Sequence, residues 1–239
     1  MKIRLRRRPG FTLVELLVVI TIILVLAGIA YPKIMDARRA GDIVKTTNNA
    51  KQVQMALNDF SGSFQSYPDD DTAERIEENP ALKKVDGCVL TGDTANPYLR
   101  QLIVAGKITD EGAFFGNLNS RRARTRQPDR KVANGAALER GENIFCYVMY
   151  DLGDGNRALT ETSGDPGEPI LVTMVNETSN GGTATYDKEA LNGKVFILRK
   201  DNSAQTEELD DNGVTPNVFR QDLKGRDTAQ DYKILRADV

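Results

Sequence analysis

The pattern of apolar positions along the chain has three regimes. Over residues 16–30 every side chain is apolar or small except Thr21, so the run has no polar face. From Ile34 to Phe60 the apolar positions thin out, and Ile34, Ala37, Ile43, Val44, Thr47, Ala50, Val53, Leu57 and Phe60 follow a three-and-four spacing with Lys, Arg, Asp and Asn between them. Residues three and four apart share one side of a helix, so this spacing predicts an amphipathic helix. From residue 144 onward the apolar residues come in short bursts, at 144–150, 169–175, 194–199 and 232–236, rich in branched and aromatic side chains. Gly-, Asp- and Asn-rich connections separate them, and they predict four strands.

The first two regimes meet at Tyr31-Pro32. A proline in a helix removes one hydrogen bond and bends the chain, and Pro32 is the expected kink. The helical pattern resumes at once and reaches Ser61-Gly62-Ser63, a stop signal. The two stretches together predict one helix of about 50 residues, roughly 75 Å long, weakened locally at Gly28 and Gly41. An antiparallel sheet laid on its amphipathic half would bury the apolar stripe, which makes the fold class α+β. Between helix and strands, residues 66–71 read as turns and residues 88–90 as a brief strand. Asn96-Pro97 opens a short helix ending at Ala105 with Gly106 as its cap, and 107–143 is a long irregular insertion.

The apolar run bears on location. Residues 11–30 would span about 30 Å as a helix, the thickness of a bilayer core. Lys2, Arg4, Arg6, Arg7 and Arg8 precede it with no acid among them. Cations of that density hold the preceding end in the cytoplasm and send the downstream chain across. Glu15 stands at the head of the run, where a carboxylate is costly and needs a partner.

Composition narrows the function classes. The chain has 239 residues, enough for one domain with an appendage. Its net charge of −2 falls to −7 without the five leading cations, and a mildly acidic body argues against a nucleic-acid binder. With no histidine and only two cysteines, Ser-His-Asp and Cys-His catalysis, His-ligated metals and paired CxxC clusters are excluded. A membrane-anchored hydrolase would need a site made only of Asp and Glu, and no enzyme is expected.

Gly10-Phe11-Thr12-Leu13-Val14-Glu15 resembles the prepilin processing motif of type IV pilins and type II secretion pseudopilins. An ordinary secretory signal cut at Gly28-Ile29-Ala30, or a plain signal anchor, would explain the apolar run but not this motif. The resemblance implies that a prepilin peptidase cuts between Gly10 and Phe11 and methylates the new amine of Phe11. It implies that Glu15 pairs with the N-terminal amine of a neighbouring subunit during assembly. Each charge alone is costly in lipid, and together they offset one another. Pro32 matches a proline common near this point in the family. The stretch 57–60 followed by Tyr67-Pro68 is similar to the segment after the helix in major pseudopilins, which leans toward the secretion branch.

The resemblance divides the chain into a cleaved leader 1–10, a transmembrane and assembly helix 11–31, an amphipathic helix 32–62, and a pilin-like head 63–239 carrying the 107–143 insertion. It implies a filament subunit that polymerises through its N-terminal helix, as a type II secretion pseudopilin supporting export. The alternative is a minor or adhesive pilin whose head is a binding module. Partners would be other copies of the chain, the prepilin peptidase, the inner-membrane assembly machinery and, before assembly, membrane lipid. The location implied is the bacterial inner membrane with the head periplasmic, then a periplasmic or surface filament.

Three further features have two readings each. Cys88 and Cys146 would lie outside the cytoplasm, where a bridge closing nearly sixty residues could stabilise the head by about 4 kcal/mol; two free thiols are the other reading. Asp151, Asp154 and Asn156, and separately Asp210, Asp211 and Asn212, offer the hard oxygens calcium takes, and pseudopilins can bind calcium near the C-terminal sheet; they are also ordinary turn sequences. Arg121, Arg122, Arg124, Arg126, Arg130 and Lys131 form either a contact patch for an acidic neighbour, lipid or glycan, or a solvated loop.

Overall fold

A computed structural model of the chain describes residues 12–82, 85–117, 125–129, 132, 135–151, 157–158, 167–173, 175–178, 184–189, 193–214 and 232–238. The chain divides into two compact units, Met1–Gly41 and Asp42–Val239. A single long helix, α1 (Leu13–Phe64), contains Pro32 and contributes residues to both units.

In the second unit α1 buries Thr46, Asn49, Ala50, Val53, Gln54, Ala56, Leu57, Phe60 and Phe64. Of the stripe the three-and-four spacing predicts, Ala50, Val53, Leu57 and Phe60 are buried, whereas Ile34, Ala37 and Val44 stay exposed because the buried part of the helix begins only at Thr46. The helix runs past the expected stop at Ser61-Gly62-Ser63 to Phe64, and Gln65 then takes a φ of 59°. Phe60 and Phe64 stack at 4.2 Å between ring centroids. Arg75 closes the helix end, donating from Nη1 to the Phe64 carbonyl at 2.7 Å while its guanidinium lies 5.3 Å from the Phe64 ring. A cation there meets the negative end of the helix dipole.

Residues 66–69 of the expected turn stretch are irregular, and the chain then forms a helix that was not expected, α2 (Asp70–Glu78). Asp69 caps it: its Oδ1 accepts the Thr72 amide at 2.6 Å, and the Thr72 hydroxyl accepts the Asp69 amide at 2.7 Å. Two orphan amides are satisfied reciprocally, as in a capping box. The expected strand at 88–90 does not form. Instead, Leu90 is buried and its carbonyl accepts from Gln101 Nε2 at 3.0 Å, a side-chain bond in place of a ladder bond. The short helix after Asn96-Pro97 is α3 (Ala95–Val104). Gly106, at φ 73°, ends it, with its amide on the Ile103 carbonyl and that of Lys107 on Leu102, a Schellman closure.

All four expected strands are present. The sheet contains β1 (Phe145–Asp151), β2 (Arg157–Ala158), β3 (Pro169–Thr173), β6 (Lys194–Arg199), β7 (Ala204–Glu208) and β8 (Tyr232–Leu235). Its order is β2-β1-β3-β6-β7 with β8 also on β1, and every pairing is antiparallel. The two remaining strands, β4 (Val175–Thr178) and β5 (Ala184–Tyr186), form a separate antiparallel pair. The architecture is α+β, a long N-terminal helix followed by a small antiparallel sheet, consistent with a pilin-like fold.

Both faces of the sheet are buried. Phe145, Tyr147, Met149, Leu171, Phe196, Leu198 and Leu235 join the core of α1, α2 and α3. The alternate residues Cys146, Val148, Val172, Val195, Ile197 and Ile234 form a second core with Val175, Ala184 and Tyr186 of the β4–β5 pair. Strands covered on both faces read as continuous apolar runs rather than alternating ones, which is the pattern of 169–173 and 194–198.

Candidate functional site

The candidate residues fall in two separate sets, one in the first part of α1 and one on the head surfaces singled out by charge. Over residues 12–34 every described side chain is exposed, from 46% at Val19 to 81% at Leu13 among the large apolar ones. An 18-residue window of this helix has a mean hydropathy of 2.9, long and apolar enough to cross a membrane. Helical geometry closes the backbone bonds internally, so nothing but side chains meets the surroundings.

The start of α1 is built by Thr12 and Glu15. Glu15 Oε2 accepts from the Thr12 amide at 2.8 Å and from the Thr12 hydroxyl at 2.7 Å, while the Glu15 amide donates to Thr12 Oγ1 at 3.3 Å. This Thr-x-x-Glu arrangement is a capping box, a signal present in the sequence but masked by the processing motif that contains it. Glu15 therefore stands exposed at the first turn with its carboxylate turned toward the preceding backbone. Gly10 and Phe11, the expected processing pair, lie outside the described residues. Pro32 lies within α1, which is helical on both sides of it.

Cys88 and Cys146 are free thiols, so the expected bridge is not formed. The cause is the period of the strand. Cys146 points into the core beneath the β4–β5 pair, whereas Cys88 packs at the margin of the core on the opposite, helical face. Burial pushes the Cys146 thiol above its ordinary pKa, with backbone hydrogen bonds from Ala237 and Val175 opposing in part.

Of the calcium candidates, Asp151 ends β1 opposite Arg157, and Asp154 and Asn156 lie outside the described residues. Asp210 Oδ1 accepts the amides of Asn212 and Val214, both at 2.8 Å, and Asp211 lies 3.6 Å from Lys188. That is a turn closed by its own carboxylate. Among the described residues no group of three or more His, Cys, Asp or Glu side chains could hold a metal ion.

Of the basic run, Arg121, Arg122, Arg124, Arg130 and Lys131 lie outside the described residues. Arg126 is tied to its own chain. Its Nη2 pairs with Glu139 and, at 2.8 Å, with Glu142, whose side chain is fully buried. The Glu142 carboxylate also accepts the Glu139 amide at 2.8 Å, and the Arg126 amide donates to the Gly141 carbonyl at 2.7 Å. The hydrogen bonds to Glu139 and Glu142 raise the Arg126 pKa. Arg126 is an anchor of the insertion, which its position in a run of arginines concealed.

Elsewhere on the head, a cleft of about 450 Å³ is lined by Asp70, Glu74, Glu77 and Asp93 with Tyr98, whose hydroxyl donates to Asp70 Oδ1 at 2.9 Å. A buried ion pair, Lys200–Glu168, lies where β6 meets the start of β3, with both side chains 5% exposed. The segment 112–115 grips α1 through Asn49, whose Nδ2 donates to the carbonyls of Gly112 at 2.9 Å and Phe115 at 2.7 Å. None of these arrangements pairs a nucleophile with a base; they hold surfaces in place.

The model of the prokaryotic N-terminal methylation motif matches residues 5–31. No curated protein and no solved structure matches the chain. The motif match supports a type IV pilin-like protein and indicates processing by a prepilin peptidase. An exposed apolar helix close behind the motif is compatible with membrane anchoring of a prepilin-type protein.

Proposed function

We propose that this chain is a structural subunit of a type IV pilus-like filament, and within that class a type II secretion pseudopilin supporting protein export. The observation that carries the reading is the overlap of two features: a methylation motif matched over 5–31, and a helix from Leu13 whose apolar side chains are exposed. Such a surface suits lipid before assembly and the packed helices of other copies afterwards. The similarity around Tyr67-Pro68 supports the secretion branch.

In this reading the peptidase cuts between Gly10 and Phe11, and the freed amine is methylated. The head stays outside the cytoplasmic membrane, with Pro32 as the bend in α1. Glu15 then has two successive partners. In the lone subunit it caps its own helix through Thr12. In the filament it faces the amine of a neighbouring Phe11, a charge pair formed where water is scarce.

Mass spectrometry of the mature N-terminus tests the class. The expected product begins at N-methylated Phe11; a chain beginning at Met1 or Tyr31 overturns the reading. Assembly is tested separately with Glu15→Ala, which should be processed like the wild type yet yield few or no filaments by electron microscopy. Normal filaments from that variant would remove the assembly role of the carboxylate.

A further inference from the structure

The segment just after the apolar run carries a charge pattern that the assembly reading does not use. Residues 31–41 contain Lys33, Arg38 and Arg39 against the single acid Asp36. All four side chains are exposed, as is Tyr31 at 67%. Arg39 lies 3.7 Å from Asp36, an exposed pair worth little in water. Lys33 and Arg38 have no ion pair among the described residues.

The placement of the cations around the helix is informative. At about 100° per residue, Lys33 and Arg38 are separated by about 140°, Arg38 and Arg39 by about 100°, and Arg39 and Lys33 by about 120°. The three therefore surround the helix instead of marking one side. A flat acidic partner could meet one or two of them and would leave the rest in water. A surface that encircles the helix meets all three.

Height points to the same partner. The apolar run ends at Ala30, and with a rise of about 1.5 Å per residue, Lys33 lies about 5 Å beyond it and Arg38 and Arg39 about 12–14 Å beyond. The interfacial layer of a bilayer is about 5–7 Å deep on each side. Helical side chains tilt toward the N-terminus, which here is the membrane end, and long cationic side chains extend along their stems to reach a polar layer. Both arginines therefore lean back toward the headgroups. Tyr31 sits at the boundary itself, where tyrosine is favoured.

We propose that Lys33, Arg38 and Arg39, with Tyr31, form a collar that docks on the phosphates of anionic phospholipids around the emerging helix. The proposal rests on the reading of residues 11–31 as a membrane segment. The collar holds the lone subunit at a fixed depth, and leaving the membrane for the filament requires these cations to give up lipid phosphate. A lipid surface rich in anionic headgroups thus opposes extraction more strongly than a neutral one does.

The full chain in lipid nanodiscs tests this by hydrogen–deuterium exchange, comparing phosphatidylcholine alone with phosphatidylcholine containing phosphatidylglycerol. Amides of 33–40 should exchange about fivefold or more slowly in the anionic discs at low salt, since each surface cation contributes on that scale. Raising the salt, or substituting Lys33→Gln, Arg38→Gln and Arg39→Gln together, should abolish the difference. Equal exchange of 33–40 in both lipids, with 16–30 protected in both, overturns the collar and leaves the membrane segment standing. Free exchange across 16–30 overturns both. Protection of 33–40 that tracks the number of copies per disc, and not lipid charge, assigns the cations to another copy and overturns the lipid collar.

Discussion

The two parts of α1 share one backbone and differ in everything their side chains meet. Ile20, Ile23, Leu24 and Leu26 are 48–68% exposed, whereas Ala50, Val53, Leu57 and Phe60 are wholly buried. The difference lies in the period of the sequence. An apolar stripe repeating every three and four residues can be covered by one sheet and short helices such as α2 and α3, while a run apolar on all sides needs a surrounding medium or several neighbours. The first part of the helix thus presents apolar surface that nothing among the described residues covers, and the second is the floor of the head's own core.

The sharpest way to break this comparison is to truncate one apolar side chain in each part. Phe60→Ala removes a fully buried ring from the stack with Phe64 and should lower the unfolding free energy of the head by about 3–5 kcal/mol. Ile23→Ala removes a similar amount of apolar surface from an exposed site and should leave the head within about 0.5 kcal/mol of the wild type. Denaturant unfolding of the detergent-solubilised chain, monitored by tyrosine fluorescence, measures both. Comparable losses from the two variants would mean that the first part of α1 also belongs to the folded head.

A smaller effect sharpens how α1 is seated on the sheet. Gln54, 3% exposed, donates from Nε2 to the Arg199 carbonyl of β6 at 2.7 Å. That carbonyl also accepts the Asn202 amide at 3.1 Å, so losing the glutamine does not leave it bare. Gln54→Leu should therefore cost about 1 kcal/mol, the net worth of one hydrogen bond, in the same unfolding assay. A loss as large as that of Phe60→Ala would show that the helix is seated by this polar contact more than by the apolar stripe.

Periodicity carried most of what could be read without coordinates. The helix, its apolar stripe and the strands at 145–151, 169–173, 194–199 and 232–235 are set by local spacing, since each side chain's face is fixed by its own neighbours in sequence. The features that escaped depend on distant partners. The helix α2 hides in an acidic stretch because its signal is the Asp69–Thr72 cap, and its apolar content is only Ala73 and Ile76. The second core beneath β4–β5 escaped because a continuous apolar strand does not say what covers its far face. The Cys88–Cys146 bridge was expected from an even count, and the count is blind to the two faces of β1. Arg126 looked like one more solvated cation because Glu139 and Glu142 become its partners only when the insertion folds back. At the candidate site, the motif spacing was plain, and the use of Glu15 as a cap for its own helix required the geometry at Thr12.

The comparison extends to two acids, one in each region, that do the same local work in opposite surroundings. Glu15 closes an exposed capping box and Asp69 a buried one, the latter 8% exposed with its Oδ2 also accepting from Ser66 at 3.2 Å. Burial raises the Asp69 carboxyl above its ordinary pKa, and the Thr72 and Ser66 hydrogen bonds offset that only in part. A carboxyl whose folded pKa lies above its unfolded one binds its proton more tightly in the native state. The stability this contributes is complete below the ordinary carboxylate pKa of about 3.9 and is lost as pH rises through the raised value. Asp69→Asn keeps an acceptor for the Thr72 amide and removes the charge. The variant should therefore gain on the wild type as pH rises through the carboxylate range and hold a constant difference above it, an effect smaller than either of those above. Urea unfolding at a series of pH values measures the difference. If it stays flat across that range, the bonds from Thr72 and Ser66 fully compensate the buried charge, and the two capping boxes differ in exposure alone.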